Sequence, residues 1–223
     1  MSKFEPEQNK GNLDNINNMA NYYQRTVVPR LLNSEMGSEE LKKIRIEVLK
    51  DATRTVLEIG VGPGYNLPLY RNISRIYALE PSRELIEIAK TRAASLTFPI
   101  EFLNNGAESI PLQDRSIDTV VSTWTLCSVT DPRTVLQEIK RVLKPEGKFI
   151  FVEHGASPNL GLRVIQTGLT SVTKYFTGNC HYDRQLEKLI MEAGFDIEKI
   201  EHPHERFKPL IYNYQGIAFP KRN

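Results

Sequence analysis

The feature that most constrains the fold is an apolar run that leads directly into a glycine-rich loop. Residues 56–64 read Val-Leu-Glu-Ile-Gly-Val-Gly-Pro-Gly. Such an apolar run is typical of a strand that is buried on both faces, and glycine is needed where the backbone turns sharply or lies against a ligand. We therefore expect an α/β protein in which a strand and its following loop form part of a ligand site.

The rest of the chain supports this class. After Asp51, short β-rich runs alternate with amphipathic segments, which is typical of a parallel sheet with helices on both faces. The predicted strands are 55–59, 75–79, 100–103, 119–123, 148–153, 196–201 and 210–219. The predicted fold is doubly wound α/β with a mostly parallel sheet of seven strands.

Two helices have clear end signals. Asp131 can cap a helix whose apolar positions run to Leu143 and which stops at residues 145–147, Pro-Glu-Gly. A second helix is predicted from Asp183 to Gly194, because glycine readily adopts the left-handed conformation that ends a helix.

We expect one domain over residues 1–223. Residues 1–20 are rich in Asn and charge, so we expect them to be flexible. Residues 21–51 are predicted to form a helical cap, with one of its helices beginning near Ser38, and residues 155–182 a helical insertion that covers the active face before the last strands.

The composition excludes several classes. With 40% hydrophobic residues, the 223-residue chain can bury a core, and its net charge of +2 gives no reason to expect nucleic acid as a partner. The two cysteines, Cys127 and Cys180, lack CxxC spacing, which favours a reducing compartment. We expect no cleaved apolar leader and no membrane-spanning segment. We expect a cytoplasmic monomer or homodimer, with peripheral membrane contact left open.

The spacing of the glycines identifies the kind of cofactor. Glu80 ends the second predicted strand, where a carboxylate can accept hydrogen bonds from two ribose hydroxyls. A dinucleotide site would read GxGxxG, but the third glycine is Gly64 and the next residue is Tyr65. The pattern GxGxG fits an adenosine cofactor that has no pyrophosphate.

Five ordered segments resemble the class I S-adenosylmethionine-dependent methyltransferases, from about Tyr23 to the end of the chain. They are LEIGVGPG, IYALEPS, NGAESIPL, DTVVSTWTLCSV and EIKRVLKPEGKFIFVE. The shorter patterns TWTLCS, VEHG and GNCH are similar to a bacterial group related to ubiquinone and phospholipid methyltransferases and to the animal alkyl-thiol methyltransferases. The resemblance implies methyl transfer from S-adenosyl-L-methionine, which becomes S-adenosyl-L-homocysteine. The acceptor it implies is a small apolar or lipid-like molecule: a thiol, a quinone precursor or an amine.

The resemblance also implies a set of cofactor contacts. These are Tyr23, Glu58, Gly60, Val61, Gly62, Gly64, Tyr65, Asn66, Glu80, Pro81, Ala107, Glu108 and Thr123. The chain departs from the family at Gly106, where members often carry an acid that accepts a hydrogen bond from the adenine amino group. Adenine recognition must then depend on the backbone near Ala107 or on another side chain.

Three side chains are candidates for the acceptor pocket. His154 follows the fifth predicted strand and could deprotonate a nucleophile, or alternatively hydrogen-bond the insertion and orient a loop. His181 matches the CHxxR pattern of the family and is a second catalytic candidate. Trp124 could line the pocket and favour a sulfonium cation through its ring face, or belong to the core.

No metal is expected. His202, Pro203 and His204 are not accompanied by further ligands, and Cys127 is interpreted as a small buried residue with no base nearby.

Two other functions stay open. One is a nicotinamide-dependent oxidoreductase, which Tyr65 disfavours, and the other is a protein that binds S-adenosylmethionine without catalysis.

Overall fold

A computed structural model describes residues 37–174, 178–202 and 211–221. The seven strands are β1 (Arg54–Ile59), β2 (Ile73–Leu79), β3 (Ile100–Leu103), β4 (Ile117–Thr123), β5 (Leu143–Gly155), β6 (Phe195–Glu201) and β7 (Tyr212–Pro220). They form one sheet in the order β3-β2-β1-β4-β5-β7-β6. The pairs among β1 to β5 are parallel, and β7 is antiparallel to both β5 and β6. The predicted mostly parallel sheet is confirmed.

Five helices are described, one before β1 and the others between strands. They are α1 (Glu39–Leu49), α2 (Arg83–Ala93), α3 (Pro132–Val142), α4 (Leu160–Thr173) and α5 (Leu186–Glu192), and a short 3-10 helix covers Leu67–Leu69. None of these helices combines the length and the apolar character that crossing a membrane requires.

Helices cover both faces of the sheet because the strand residues alternate between two cores. On β5, Phe149 and Phe151 are fully buried in one core, against α3 and α5. Ile150 and Val152, which point the other way, are buried in a second core with α1 and α2. This double burial is the reason that the central strands read as continuous apolar runs.

Helix α3 begins as predicted but ends one residue early. Asp131 Oδ1 accepts hydrogen bonds from the backbone N–H of Arg133 at 3.0 Å and of Thr134 at 3.3 Å, which confirms the cap. Leu143 is not helical, because it already pairs with Ile117 as the first residue of β5. Residues 145–147 therefore lie inside a long irregular strand rather than in a turn after the helix.

Helix α5 is shorter than predicted. It begins at Leu186 instead of Asp183, because the chain before it is bonded to the sheet: the backbone oxygen of Arg184 accepts from the N–H of Ala156 at 2.8 Å. The predicted end is confirmed, since Gly194 has a φ of +87°.

The two flanking regions are described in part. Ser38 caps α1 through its Oγ, which accepts from Leu41 N at 3.4 Å, as its position predicts. The predicted insertion contains α4. Residues 1–36 of the predicted flexible start and cap lie outside the described residues, as do 175–177 of the insertion.

The burial of α3 gives a test of the fold. Leu136→Ala should lower the free energy of unfolding by about 2–5 kcal/mol, because Leu136 is fully buried and a cavity would remain. Leu160→Ala is the matched control, since Leu160 is 73% exposed and its loss should cost less than about 0.5 kcal/mol. Urea denaturation measures both, and equal losses would contradict the packing described.

Candidate active site

The sheet places the site between β1 and β4. From β1 the chain builds outward through β2 to β3, and then returns to the other side of β1 with β4 and β5. In open α/β sheets, ligands bind at the carboxyl ends of the strands where the order reverses in this way. The hydroxyl of Thr125, just after β4, donates to Ile59 O at the end of β1 over 3.2 Å, so the two strand ends are tied together.

The glycine loop follows β1 with three residues in the left-handed region. Gly60, Gly62 and Gly64 have φ values of +63°, +54° and +84°. A Cβ atom at Gly60 would lie 2.3 Å from Thr125 Oγ1, and one at Gly64 would lie 3.0 Å from Ala89, so packing excludes side chains there. At Gly62 the nearest atom would be Gly60 O, at 3.9 Å. The middle of the loop therefore has room for a ligand to approach the backbone.

Glu80 joins this loop to the end of β2. Its Oε2 accepts from Gly62 N at 3.0 Å and its Oε1 from Ser82 N at 2.9 Å. The side chain is buried, and desolvation raises the pKa of Glu80. Asn104, which sequence reasoning missed, donates through Nδ2 to the backbone oxygens of Glu80 and Pro81. Its position directly after the third predicted strand is the signal that could have found it.

A second buried carboxylate, Glu58, is the penultimate residue of β1. It accepts from Asn66 Nδ2 and from the Tyr70 hydroxyl, each at 2.9 Å, and burial raises the pKa of Glu58 to about 7. Asn66 Nδ2 also donates to Thr123 Oγ1 at 3.0 Å. The other atom of that amide, Asn66 Oδ1, is buried and finds no hydrogen-bond partner among the described residues. An acceptor without a donor beside the glycine loop is a position where a ligand amino group fits.

The aromatic ring of Trp124 and the guanidinium of Arg45 lie close to this network. Trp124 has a φ of +53° and donates from Nε1 to Asn213 Oδ1 at 3.1 Å. The buried guanidinium of Arg45 lies 4.8 Å from the Trp124 ring centre and 5.6 Å from that of Tyr65, and burial lowers the pKa of Arg45 to about 10. Arg45 was missed, although a cation on the apolar face of the predicted helix α1 could have indicated it. Trp124 is thus buried beside the site and already faces a cation.

The segment after β3 carries the predicted adenine residues. Ala107 is buried, and Glu108 places Oε2 within 3.0 Å of where a Cβ at Gly106 would lie. The Glu108 carboxylate therefore occupies the region that an acid at position 106 would reach. Helix α3 holds the segment through Arg141, which donates to Ile110 O at 2.8 Å.

Two thiols and an imidazole meet near Trp124, whose ring centre lies 6.4 Å from that of His154. His154 Nδ1 lies 3.2 Å from Cys180 Sγ and 3.7 Å from Cys127 Sγ, and the three atoms all lie within 4.8 Å of one another. Both cysteines are free and buried, and His154 is half-buried. The expectation that Cys127 has no base nearby is wrong, because the fold brings His154 from the end of β5. Hydrogen bonding to Cys180 and burial raise the pKa of Cys127.

A third buried carboxylate holds the turn that carries Cys127. Glu153 Oε1 accepts from the Ser122 hydroxyl at 2.5 Å and from Thr125 N at 3.0 Å, and Oε2 accepts from Cys127 N at 3.1 Å. Burial raises the pKa of Glu153. The sequence contained a signal for this role, since Glu153, like Glu58, is a carboxylate near the end of an apolar predicted strand.

His181 contacts the turn that carries Cys127 through its backbone. Its backbone N–H donates to Cys127 O at 2.8 Å, but its ring lies 3.9 Å from Asp183 and is not part of the thiol cluster. Burial and the nearby Arg184 lower the pKa of His181. Its role in catalysis stays a prediction.

Five positions named from the sequence remain. Val61 is buried and donates from its N–H to Leu79 O at 3.0 Å, and Pro81 is exposed. Tyr23 lies outside the described residues, as do Pro203 and His204.

The comparisons with known proteins agree with this geometry. Residues 57–151 match the family described as a methyltransferase domain. Thiol S-methyltransferase TMT1B of Homo sapiens is 39% identical over 169 residues, which cover 73% of this chain and 69% of that protein. TMT1B of Mus musculus is 33% identical over 191 residues, 81% of this chain and 78% of that protein. The chain belongs to the class I S-adenosylmethionine-dependent methyltransferases.

A solved structure supports the fold of this methyltransferase. The YcgJ protein of Bacillus subtilis has a TM-score of 0.67 and 15% identity, and the match covers 83% of this chain and 100% of that one. Family membership makes S-adenosylmethionine, rather than a nicotinamide, the cofactor of the methyltransferase.

The raised pKa of Glu58 gives the methyltransferase a pH-dependent stability. Folding favours the protonated carboxyl, so its contribution is complete below about pH 4.5 and is lost as the pH rises to about 7. Relative to Glu58→Gln, the wild-type free energy of unfolding should fall by about 3 kcal/mol over that interval and then stay level. Urea denaturation across this range tests it, with the exposed Glu101→Gln as a control. A difference that is constant or grows with pH would be evidence against the burial described.

Proposed function

We propose that this methyltransferase transfers the methyl group of S-adenosylmethionine to the sulfur of a small apolar thiol. The observation that carries the proposal is the 39% identity to the human thiol S-methyltransferase over most of this chain. The geometry adds a site in two parts. The polar groups around Gly62 and Glu80 suit the cofactor, and His154 with its neighbouring thiols lies on the acceptor side.

The cofactor part has donors and acceptors in the required places. Each Glu80 oxygen accepts one backbone hydrogen bond, which leaves capacity on both oxygens for the two ribose hydroxyls. Asn66 Oδ1 can accept from the amino group of the methionine portion. Gly62 allows the cofactor to lie against the loop, with the neighbouring residues 60, 61 and 64–66 and Thr123 around it.

Adenine recognition falls to residues after β3. Gly106 offers no side chain, but the carboxylate of Glu108 lies next to it and can accept from the adenine amino group. Ala107 contributes backbone contact. In this way Glu108, two residues further along the chain, compensates for the lack of an acid at position 106.

The protein's task in methyl transfer is alignment and the exclusion of water. Bound S-adenosylmethionine supplies a methyl group on a positively charged sulfur, so little covalent chemistry is left to side chains. The acceptor thiol must still lose its proton, since a free thiol has a pKa of about 8.5 and only the thiolate is a good nucleophile. His154, half-buried at the end of β5, is the group that favours this loss. Hydroxyl acceptors, which hold their proton far more strongly, should react poorly.

We further propose that the methyltransferase acts in the cytoplasm on a small molecule rather than on nucleic acid. The near-balanced charge of the chain, +2, supports the second point. Two free buried thiols are compatible with a reducing compartment. A monomer or homodimer is the expected state.

The cofactor assignment is tested by calorimetric titration with S-adenosylhomocysteine. Gly62→Val should abolish detectable binding, because its side chain would fill the space the ligand needs. Glu80→Gln should weaken binding by about 10-fold or more through loss of charge-assisted hydrogen bonds. Glu87→Gln, an exposed change on α2, should bind as the wild type does. Unchanged affinity in both site variants, with circular dichroism showing folded protein, would refute the assignment.

The acceptor is tested with S-adenosylmethionine and a matched panel read by mass spectrometry. An alkanethiol should be methylated at least about 100-fold faster than the alcohol and the amine of the same chain length. Of the three, only the thiol readily loses a proton to become a strong nucleophile. A quinone precursor is the fourth acceptor. Faster transfer to the amine or the quinone precursor would replace the thiol assignment. Cofactor binding with no transfer to any acceptor would favour a non-catalytic binding protein.

A further inference from the structure

We propose that Cys127, His154 and Cys180 bind one zinc ion, and that the acceptor thiol occupies its fourth coordination position. The metal site stands on the geometry of these three side chains alone. The role of the fourth position rests on the proposed thiol methylation and deepens it. No metal was expected from the sequence, because His202 and His204 lack further ligands and Cys127 was interpreted as a small buried residue. The fold instead brings Cys127, His154 and Cys180 together.

The two sulfur–nitrogen distances are close to those of a zinc site. With Zn–S bonds of about 2.3 Å and a Zn–N bond of about 2.05 Å, a tetrahedral site places its sulfur and nitrogen atoms about 3.6 Å apart. His154 Nδ1 lies 3.2 Å from Cys180 Sγ and 3.7 Å from Cys127 Sγ. The sulfur–sulfur separation is below 4.8 Å, and tetrahedral geometry needs about 3.8 Å. Side-chain rotations that bring the two sulfurs to about 3.8 Å would complete the site.

The three ligands are held by contacts that do not involve a metal. Glu153 fixes the backbone N–H of Cys127, and the N–H of His181 donates to Cys127 O at 2.8 Å, which joins the Cys180 segment to the same turn. Asn179 Nδ2 donates to Ser128 O at 2.8 Å and strengthens that junction. The ligands therefore need little ordering when the metal binds, and this favours affinity.

The donors and the charges select zinc. Thiolates are soft ligands and imidazole is a borderline one, and both bind zinc more strongly than they bind magnesium or calcium. Two thiolates neutralise a divalent ion, so the buried cluster carries no net charge once loaded. The guanidinium of Arg184 lies close by, donating to Leu126 O and to Val129 O.

The number of ligands leaves one position open. Structural zinc sites are closed by four protein ligands, whereas catalytic sites use three, including the two cysteines and one histidine of some enzymes. Among the described residues, no fourth His, Cys, Asp or Glu side chain belongs to this group. His154 is half-buried at the carboxyl edge of the sheet, with its ring centre 6.4 Å from that of Trp124, and we place the open position at this edge.

Zinc would then do what a lone imidazole does less well. The acceptor thiol releases its proton to solvent as its sulfur bonds to zinc. That sulfur donates an electron pair to the methyl carbon, while the carbon–sulfur bond of the sulfonium breaks and its pair stays on the departing sulfur. The products are the methyl thioether, which is a weak zinc ligand and dissociates, and neutral S-adenosylhomocysteine.

The metal site is tested by titrating Co²⁺ and Zn²⁺ into reduced, metal-stripped full-length protein. We expect about one ion per chain, and with Co²⁺ the visible bands of a tetrahedral site together with thiolate-to-metal charge transfer. The chain has two cysteines, so such charge transfer can come from Cys127 and Cys180 alone. Cys127→Ser, Cys180→Ser and His154→Gln should each weaken binding by about 100-fold or more, whereas His202→Gln should leave it unchanged. Binding that is absent in folded wild type, or that survives the cysteine changes, would overturn the proposal.

The fourth position is tested without methyl transfer. One equivalent of an alkanethiol added to the Co²⁺ protein should intensify the charge-transfer band, and the matching alcohol should not. An unaltered spectrum would overturn the acceptor role while leaving the metal site in place. Methylation of thiols at the wild-type rate by Cys180→Ser would also overturn it but would leave the proposed function standing. A thiol that binds cobalt but is never methylated would instead refute the proposed function.

Discussion

The structure depends on the cost of burying a carboxylate without hydrogen-bond donors. Three buried glutamates, Glu58, Glu80 and Glu153, stand at the carboxyl ends of β1, β2 and β5. Each takes its donors from a loop at the edge of the sheet: Glu58 from Asn66 and Tyr70, Glu80 from the glycine loop, and Glu153 from the turn after β4. The loops that supply these hydrogen-bond donors are therefore the loops that shape the site. Burial of the carboxylates makes the hydrogen bonds obligatory.

This arrangement divides the edge into two parts with different chemistry. Glu58 and Glu80 organise the side with Gly62 and with Asn66 Oδ1, an acceptor that has no donor among the described residues, and this side suits the sugar and the amino group of a nucleoside cofactor. Glu153 organises the side where the thiols and His154 meet. Trp124, with its left-handed backbone, lies between them, and strained residues of this kind concentrate at functional sites.

The sequence predicted the local part of this picture well. The glycine spacing and Glu80 follow from a strand, a loop and a second strand, and the strand positions depend on short apolar runs. What it missed depends on contacts between distant residues. Arg45, Asn104 and the cluster of Cys127, His154 and Cys180 are joined by the topology, and no local pattern reports which side chains will meet. The start of β5 at Leu143 was missed for the same reason, since its partner Ile117 belongs to another strand.

The central claim, that one edge of the sheet collects the cofactor site, is tested most directly by hydrogen exchange with mass spectrometry. Saturating S-adenosylhomocysteine should slow exchange in peptides that cover residues 58–66, 79–84 and 104–110, and leave the distant strand β6 unchanged. Protection of these three segments together would support the account. Protection that is absent, or that falls only elsewhere, would contradict it.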